Sequence, residues 1–379
     1  MASTAPRRAR IAVLGAGWWS QGWHLPHLSR NPEVQIAAII EPNPNPRSAI
    51  NELESTAALG EKYGAPTFAS LDACLAALGA DALDGILCCV SHAAHFELGV
   101  RGLNANLHVM MEKPMTTDVA QARQLAAAAA AAPKLAFMVN NTGNWRAQCR
   151  AAHDTVAVRR RVGAVQHVQC AMHSALLWLF DDAANVGWTT PTGSMVGNGF
   201  AWGQLSHLLA WVFKVTALTP ASAFCSMSWS KASGADLSDS AVIVCEGGAS
   251  ISVSGSCCVP GNAHDAEGGQ LGKKIGFRIF GDEGSLTYEG YDQQPESGRL
   301  ELARRDGAHD AADDALPAGF AFENYDQAGL GPESLRAFVD ACLGRPHFVG
   351  ADAHVGLQVV RAIDAMYRSA KSGAVEACA

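Results

Sequence analysis

The sequence has few charged residues, and it lacks both a basic stripe and a long apolar run. Only 17% of the 379 residues are charged, and the formal net charge is -8. A nucleic-acid partner is therefore not expected, because phosphate binding requires clustered lysine and arginine side chains. No apolar run approaches the ~20 residues of a membrane-spanning helix, so we expect no membrane partner. Residues 1–10 are basic but are followed by a short strand-like run, so we expect no secretory signal there.

Paired cysteines and the short motifs of metal and serine enzymes are also missing. The sequence has 11 cysteines but no C-x-x-C pair, and several lie within apolar runs such as Leu87–Val90. We expect them to be small buried side chains in a reducing cytoplasm rather than disulfides. Because no H-E-x-x-H motif or paired-cysteine spacing is present, we expect no metal site. The G-x-S-x-G motif of serine hydrolases is absent as well.

The first part of the chain alternates short apolar runs with helix-like stretches. A chain of this length is too long for one core, so two domains are expected. The alternation predicts an α/β domain over residues 1–141, a parallel sheet with helices on both faces. The strands are expected at 11–14, 34–40, 83–90, 107–111 and 135–139, and the helices at 48–63, 70–78, 93–105 and 117–132.

The second part, residues 142–379, has strands without a helix between each pair. This pattern predicts an α+β domain with an antiparallel sheet. Glu246, Gly247 and Gly248 separate two alternating runs and predict a hairpin turn. Strands are expected at 163–173, 221–230, 240–258, 274–280 and 285–289, loops at 261–273 and 291–320, and helices at 197–214, 332–343 and 351–371. The last helix is a candidate to pack back on the first domain.

A glycine turn directly follows the first predicted strand. Gly15 allows the tight turn, and Gly17 lets the backbone approach a pyrophosphate at a helix N-terminus. Ser20 takes the third position of the usual G-x-G-x-x-G, as a small substitute. Glu41 ends the second strand, where a carboxylate accepts hydrogen bonds from ribose hydroxyls and repels a 2′-phosphate. These residues predict a dinucleotide site and favour NAD over NADP; without the glycine turn, Glu41 is only a surface carboxylate.

The apolar run Leu107–Met111 is followed directly by Glu112, Lys113 and Pro114. A strand that ends in a lysine and is stopped by a proline holds an ammonium group at the sheet edge where ligands bind. Desolvation and a neighbouring cationic nicotinamide would lower the pKa of that lysine. Lys113 is therefore a candidate for the group that takes up the proton of an alcohol. A structural salt bridge with Glu112 is the alternative.

Other aromatic and polar side chains are expected near the same edge. Trp18 and Trp19 follow the glycine turn, and they either cover the cofactor or substrate mouth or pack the helix against the sheet. Asn140 and Asn141 follow the last strand of the domain, where polar side chains face the crevice.

Five stretches together resemble the glucose–fructose oxidoreductase, inositol dehydrogenase and MocA family. They are Gly15–Gly17 with His24-Leu25-Pro26, the segment Ser91–His95, the stretch His108–Pro114, the segment Gly276–Leu286 and the closing helix Gly356–Gly373. The stretch His108–Pro114 is the specific part of the likeness, and the other four support it. The likeness spans almost the whole chain.

The resemblance implies a fold, an assembly and a set of cofactor contacts. The fold is an N-terminal Rossmann domain followed by a C-terminal domain with a large, open, mostly antiparallel sheet. The assembly is a homodimer or homotetramer that uses the sheet face. The cofactor is NAD, and the residues expected to contact it are Gly15, Gly17, Trp18, Trp19, Glu41, Ser91, His92, His95, Glu112, Lys113 and Asn140.

The segment Gly197–His207 is similar to the glycine-rich segment with which this family opens a helix at Asp-x-Gly-x-His. His207 matches the histidine, and the resemblance implies an acid–base or hydroxyl-binding role for it. Gly203 stands at the aspartate position and Leu205 at the glycine position, so the usual pair lacks one member. Gln204 could fill the space, but a glutamine side chain exchanges no proton at neutral pH.

The expected activity is NAD-dependent oxidation of a CH–OH group in a sugar, cyclitol or sugar derivative. Lys113 and His207 would assist proton transfer. The residues expected to contact substrate are Lys113, Asn141, Trp145, Arg146, His173, Trp202, Gln204 and His207. Two alternatives remain open: an enzyme that retains NAD and cleaves a glycoside or eliminates a group by transient oxidation, and a dinucleotide-sensing regulatory protein without catalysis.

Overall fold

The computed structural model describes residues 7–261, 273–291, 297–308, 316–322 and 328–379, and these form two compact units. The first unit holds the described residues within 1–116, 120–140 and 325–353. The second holds those within 117–119, 141–324 and 354–379. The expected boundary after residue 141 lies one residue from the border between Asn140 and Asn141. The first unit thus also includes a late part of the chain, the described residues within 325–353.

The first unit is built on a six-stranded parallel sheet in the order β3-β2-β1-β4-β5-β6. The predicted parallel sheet is therefore confirmed, and the order is that of a dinucleotide-binding Rossmann fold. Strands β1, β4 and β5 are almost entirely buried, as expected for strands covered on both faces. The strands are β1 (Ala9–Leu14), β2 (Val34–Ile40), β3 (Thr67–Phe68), β4 (Gly85–Cys88), β5 (His108–Met111) and β6 (Phe137–Val139).

Helices connect the strands of this unit. They are α1 (Leu25–Arg30) with the preceding π-helical turn Ser20–His24, α2 (Thr56–Tyr63), α3 (Leu71–Leu78), α4 (His92–Asn104) and α5 (Val119–Ala131). Helix α2 begins at Thr56 instead of residue 48, because the Ser55 hydroxyl accepts the Ala58 N–H and caps the first turn there. The helix Glu333–Cys342 packs on β1 and β5.

The second unit is built on a nine-stranded open sheet in the order β14-β13-β12-β11-β7-β10-β9-β8-β15. Among the described strands of this second sheet, only β7 and β10 pair in parallel, and the other pairings are antiparallel. The prediction of a mostly antiparallel sheet is therefore confirmed. The strands are β7 (Val165–His173), β8 (Pro220–Trp229), β9 (Asp236–Cys245), β10 (Ser250–Ser256), β11 (Lys274–Gly281), β12 (Gly284–Tyr291), β13 (Gly298–Arg304), β14 (Ala318–Phe320) and β15 (Glu376–Ala377).

Two loop predictions for this unit have different outcomes. The loop expected over 291–320 was wrong in part, because β13 and β14 lie within it. The alternation of Leu300 and Leu302 with charged neighbours was the missed signal, and Leu300 is buried against the sheet. Most of the loop expected over 261–273 lies outside the described residues. The predicted turn at residues 246–248 is confirmed, with left-handed Gly247 and Gly248 joining β9 to β10.

A buried helix of the second unit packs on one face of the nine-stranded sheet. A π-helical turn, Ala201–Leu205, continues directly into α9 (Ser206–Thr216). The indole of Trp211 stacks on the ring of Phe277 in β11, with centroids 4.0 Å apart, so α9 covers the face to which Phe277 points. The other helices of the unit are α6 (Ala147–His153), α7 (Leu177–Phe180), α8 (Val186–Thr189) and the C-terminal helix Ala353–Ser372. None of the helices that the structure describes is long and apolar enough to cross a membrane.

Candidate active site

The polar residues of the first unit meet at the carboxyl ends of its parallel strands. Gly15 follows β1, Glu41 follows β2, His92 lies just beyond β4, Glu112 follows β5 and Asn140 follows β6. The sheet order reverses between β1 and β4, and open α/β sheets bind ligands at such a point. The fold therefore collects the predicted cofactor residues of this unit along one edge.

The glycine turn has the shape that a dinucleotide needs. Gly15 has φ +92°, and a Cβ added to it would lie 2.0 Å from the carbonyl oxygen of Cys89. Only glycine fits there. A Cβ on Gly17 would meet nothing within 4 Å, so the backbone is open on the side where a pyrophosphate approaches. These observations fit the predicted NAD.

Glu41 is held in place by the turn that it faces. Its Oε2 accepts the Ala16 N–H at 3.0 Å, and its Oε1 accepts the Asn43 N–H at 3.0 Å. A carboxylate has about four acceptor positions, so two backbone bonds leave capacity for two ribose hydroxyls. The fixed negative charge disfavours a 2′-phosphate at the same place.

Trp18 and Trp19 begin the first helix and remain partly exposed. Trp19 stacks on Trp23 of the same helix, with centroids 5.2 Å apart and planes at 18°. Trp18 contacts Trp19 edge-on, at 5.2 Å. The rings thus form a row along their own helix. Their exposed parts remain next to the glycine turn, and the predicted cofactor contact stays a prediction.

The residue before Lys113 is tied to two other elements. Oε1 of Glu112 accepts Nε2–H of His24 at 2.8 Å and Nδ2–H of Asn140 at 2.7 Å. The backbone N–H of Lys113 donates to Oε2 of Glu112 at 3.1 Å. Glu112 therefore fixes the end of β5 to the π-helical turn and to the end of β6.

The electrostatics of Glu112 favour its ionised form. Burial opposes ionisation, but the hydrogen bonds from His24 and Asn140 and the nearby charge of Lys113 outweigh it and lower the pKa of Glu112 to about 2. A permanent negative charge is thus buried beside Lys113. Lys113 itself is half-buried, and its peptide bond to Pro114 is cis.

The other side of Lys113 is fixed by a histidine. Burial lowers the pKa of His95, so its ring is neutral and carries one N–H. We assign this hydrogen to Nδ1, which lies 2.8 Å from the Pro114 carbonyl oxygen, against 3.2 Å from Nε2 to the Val90 carbonyl oxygen. His95 thus anchors the peptide after Lys113, and its predicted contact with the cofactor stays a prediction.

His92 and Ser91 begin helix α4 at the same edge. Burial, His95 and the charge of Lys113 together lower the pKa of His92 to about 3, so its imidazole is neutral near pH 7. The His92 ring meets the His95 ring edge-on, with centroids 5.7 Å apart. Ser91 is exposed, and its side chain caps no helical N–H.

In the second unit, asparagine side chains hold the helix that carries His207. Nδ2 of Asn141 donates to the carbonyl oxygen of Ser206 at 3.3 Å, and Nδ2 of Asn144 donates to that of Ala210 at 3.0 Å. His207 itself is buried, one residue into α9. Asn141, which we expected to contact substrate, therefore has a structural hydrogen bond that fixes the start of α9.

A phenyl ring fills the place of the expected aspartate. A Cβ on Gly203 would lie 2.7 Å from Cζ and 3.0 Å from Cε1 of Phe180. Packing against Phe180 therefore requires a glycine at position 203. An aspartate side chain, which the family pattern has at this position, would have no room. Neighbouring Gln204 is buried, and its Oε1 has no hydrogen-bond partner among the residues that the structure describes.

Three of the predicted substrate residues of this unit lie in its core or on the sheet face opposite α9. Trp145 and Trp202 are each 1% exposed, so their rings belong to the core. His173 ends β7 and alternates with Met172, which points to the face that α9 covers. His173 therefore lies on the opposite face, 3.3 Å from the Ser254 hydroxyl. The strand alternation thus turns His173 away from the face that α9 covers.

Arg146 lies at the start of α6 and is half-buried. Its guanidinium donates to the carbonyl oxygen of Ala321 at 3.2 Å. That contact holds Arg146 within its own unit. Its predicted contact with substrate stays a prediction.

Two residues of the site were not assigned from the sequence. His24 was seen only as part of a resembling stretch, although a histidine seven residues after Gly17 was an available signal. Phe180 gave no signal, because it lies 23 residues before Gly203 and meets it only in the folded unit.

The fold and the edge residues define a dinucleotide-binding Rossmann unit followed by a unit with an open antiparallel sheet. Residues 9–141 match the family model described as oxidoreductase family, NAD-binding Rossmann fold, whose label is GFO_IDH_MocA. This match confirms the predicted resemblance over that part of the chain, and it confirms the predicted NAD. The matched family is one of NAD-binding oxidoreductases. No curated protein sequence matched the chain.

Solved structures share the fold along the whole chain. GenD2 from gentamicin A biosynthesis, in complex with NAD, is 21% identical with a TM-score of 0.69, covering 99% of this chain and 97% of its own. WlbA dehydrogenase from Bordetella pertussis, with NADH and UDP-GlcNAcA, is 16% identical with a TM-score of 0.66, covering 98% and 99%. Scyllo-inositol dehydrogenase from Lactobacillus casei is 17% identical with a TM-score of 0.67, covering 98% of each chain.

Proposed function

We propose that the protein oxidises a CH–OH group of a sugar, cyclitol or sugar derivative, with NAD as the hydride acceptor. The observation that carries the proposal is the anchoring of Lys113 at the carboxyl edge of the Rossmann sheet. Glu112 and Pro114 on either side of it are each held by a buried histidine. Structural neighbours whose names include a nucleotide sugar and an inositol support this class of substrate.

Each part of the dinucleotide has a group of this chain to hold it. Gly15 and Gly17 leave the backbone open for the pyrophosphate, and Glu41 accepts the hydroxyls of the adenosine ribose. When bound, NAD supplies an acceptor for the hydride that leaves the substrate carbon. The neutral ring of His92 adds no positive charge beside a cationic nicotinamide.

Lys113 and His207 are proposed to move the hydroxyl proton. As the C–H bond gives up its electron pair, the O–H bond breaks and its electrons form the carbonyl. Lys113 in its neutral form accepts that proton on Nζ, and His207 assists by a hydrogen bond to the substrate oxygen. The buried carboxylate of Glu112 balances the ammonium group that forms on Lys113.

The experiment is an absorbance assay for NADH formation with a panel of cyclitols, aldoses, uronic acids and nucleotide sugars. With a substrate found, Lys113→Met is expected to lower kcat at least about 100-fold, while NADH binding measured by tryptophan fluorescence is retained. His207→Asn is expected to act in the same direction. His173→Asn is the matched control, because His173 lies on the other sheet face and its loss leaves turnover unchanged.

Undiminished turnover in Lys113→Met would remove the lysine from the mechanism. Because Gly203 supplies no carboxylate, a second candidate function is that of a lyase or glycosidase that retains NAD. That activity would show exchange of a substrate C–H with deuterated solvent and product formation without net NADH. Binding of NAD without any reaction would indicate the regulatory alternative.

A further inference from the structure

The core of the second unit contains an acidic cluster that takes no part in the chemistry proposed above. Asp236, Asp239 and Tyr367 are 0%, 2% and 1% exposed. Two carboxyl groups and a phenol away from water are unfavourable unless hydrogen bonds compensate them. Their position in the core therefore requires a structural or functional reason.

Asp236 contacts the start of the helical segment that carries His207. Its Oδ2 accepts the backbone N–H of Ala201 at 2.7 Å, and Ala201 is the first residue of the π-helical turn that leads into α9. The first N–H groups of a helix have no partner within the helix. A carboxylate at that end both accepts such a group and interacts favourably with the helix dipole.

Tyr367 joins the same contact from the C-terminal helix. Its O–H donates to Oδ1 of Asp236, and its ring stacks on Trp202, with centroids 5.9 Å apart and planes at 21°. The Trp202 carbonyl oxygen in turn accepts the Ser206 hydroxyl at 2.7 Å. A continuous set of contacts thus runs from Asp236 to the residue before His207.

The two carboxyl groups of the cluster have different surroundings. Burial raises the pKa of both carboxyl groups, and that of Asp239 rises well above its ordinary value because Asp236 lies beside it. Asp236 accepts hydrogen bonds from the Ala201 N–H and the Tyr367 O–H, and these favour its ionised form over that of Asp239. Burial and the two carboxyl groups also raise the pKa of Tyr367, which keeps it a donor.

We propose that Asp236 is a positioning residue for His207, acting through the N-terminal end of the segment Ala201–Thr216. The family pattern places a carboxylate four residues before the histidine, and Phe180 occupies that place here. In this chain the side chain of Asp236, on β9, fixes the N-terminal end of the same helical segment. Tyr367 in turn holds the Asp236 carboxyl group by a hydrogen bond. The inference rests on the role proposed above for His207.

The test compares Asp236→Asn with Asp239→Asn in the full-length protein. Asparagine keeps the shape of both residues, but only the first change removes the carboxyl group that accepts the Ala201 N–H at the helix end. Hydrogen exchange of the segment 199–207 is expected to become about tenfold faster in Asp236→Asn and to stay unchanged in Asp239→Asn. The His207 ring signals in the NMR spectrum are expected to shift only in Asp236→Asn.

Turnover gives a third measurement. Asp236→Asn is expected to lower kcat about tenfold and to leave the KM for NAD unchanged, because NAD is held by the first unit. Tyr367→Phe keeps the ring on Trp202 and is expected to give a smaller change in the same direction. If Asp236→Asn does not fold, Tyr367→Phe replaces it in the comparison with Asp239→Asn.

Wild-type exchange and wild-type ring signals in Asp236→Asn would overturn the proposal. Equal effects of the two asparagine variants would also overturn it, because they would show general support of the core. Exchange and ring signals are read without substrate, so their outcome is distinguishable from a failure to find any oxidised polyol. A failure to find an oxidised polyol would contradict the proposed function. The exchange and NMR results would still test the contact between Asp236 and the helix.

Discussion

Glu112 and His24 are 88 residues apart in the sequence and are joined by a buried hydrogen bond of 2.8 Å between Oε1 and Nε2. An ionised carboxylate only accepts, so Nε2 of His24 carries the hydrogen. The bond fixes the end of β5 at the residue before Lys113. Lys113 lies two residues beyond β5 and is thereby tied to the sheet through its neighbour Glu112.

The first prediction concerns the pH dependence of stability at Glu112. Its pKa is lowered from 4.5 to about 2, so its contribution is present above about pH 4.5 and is lost as the pH falls toward 2. At neutral pH the shift corresponds to on the order of 3 kcal/mol of unfolding free energy. Urea unfolding between pH 3 and 6 is expected to show this dependence in the wild type and to lose most of it in Glu112→Gln.

Glu97→Gln is the control, because Glu97 is an exposed carboxylate on α4. It is expected to leave the dependence intact. If Glu112→Gln follows the wild-type curve from pH 6 to 3, the carboxylate is not held as the structure indicates.

The second prediction separates the two glycines of the turn. Gly15→Ala introduces a methyl group 2.0 Å from the Cys89 carbonyl oxygen at a left-handed φ, and it is expected to destabilise the fold by at least about 2 kcal/mol. Gly17→Ala meets no protein atom within 4 Å, so its stability is expected to stay within about 1 kcal/mol of wild type. Thermal unfolding and NADH titration of both variants measure this.

Gly15→Ala is expected to affect stability, whereas Gly17→Ala is expected to affect NADH binding. Gly17→Ala should fold normally and bind NADH at least about tenfold more weakly, because its methyl group enters the space of the pyrophosphate. Normal NADH affinity in Gly17→Ala would mean that the dinucleotide does not cross the turn at this residue.

The third prediction concerns the choice between NAD and NADP. Glu41 is held by the Ala16 and Asn43 N–H groups and faces the place of the adenosine ribose. Glu41→Gln is expected to weaken NADH binding about tenfold, because a neutral amide accepts hydroxyl hydrogen bonds less strongly than a carboxylate. NADPH binding is expected to weaken less or to improve, because the repulsion of the 2′-phosphate is removed.

Isothermal titration of the wild type and of Glu41→Gln with NADH and NADPH measures the two affinities. A wild-type preference for NADPH would contradict the role given to Glu41.

The fourth prediction tests why the expected aspartate is missing. Gly203→Asp would restore the residue pattern of the family but force a carboxylate against the Phe180 ring, which lies 2.7 Å from the added Cβ. The change is expected to cost about 3 kcal/mol of stability and to bring no gain in turnover. Gly187→Asp is the control, because Gly187 is exposed and its Cβ meets nothing within 4 Å.

Adding Phe180→Ala to Gly203→Asp provides the second half of this test. The smaller side chain makes room, so the double variant is expected to be less destabilised than the sum of its two single changes. Simple addition of the two effects would show that Phe180 is not what excludes the aspartate.

Periodicity alone predicted most of the elements of both units. The apolar runs that became β1, β2, β4 and β5 were found because strands buried on both faces must be apolar throughout. The start of α2 was set eight residues early, because the sequence does not show which of several serines caps the helix; Ser55 does. Strand β13 was missed because glycine, aspartate and alanine around it obscured a short alternation.

The sequence by itself determined the Rossmann domain, the glycine turn, Glu41 and the lysine at the end of β5. These features follow from local rules, since a strand, a tight turn and a strand end are each specified within a few neighbouring residues. Only the tertiary structure decided what surrounds them. The bond from His24 to Glu112, the ring of Phe180 at Gly203 and the contact of Asp236 with Ala201 each join residues from different elements. Such contacts depend on how elements pack, and periodicity does not specify the partner of a buried polar group.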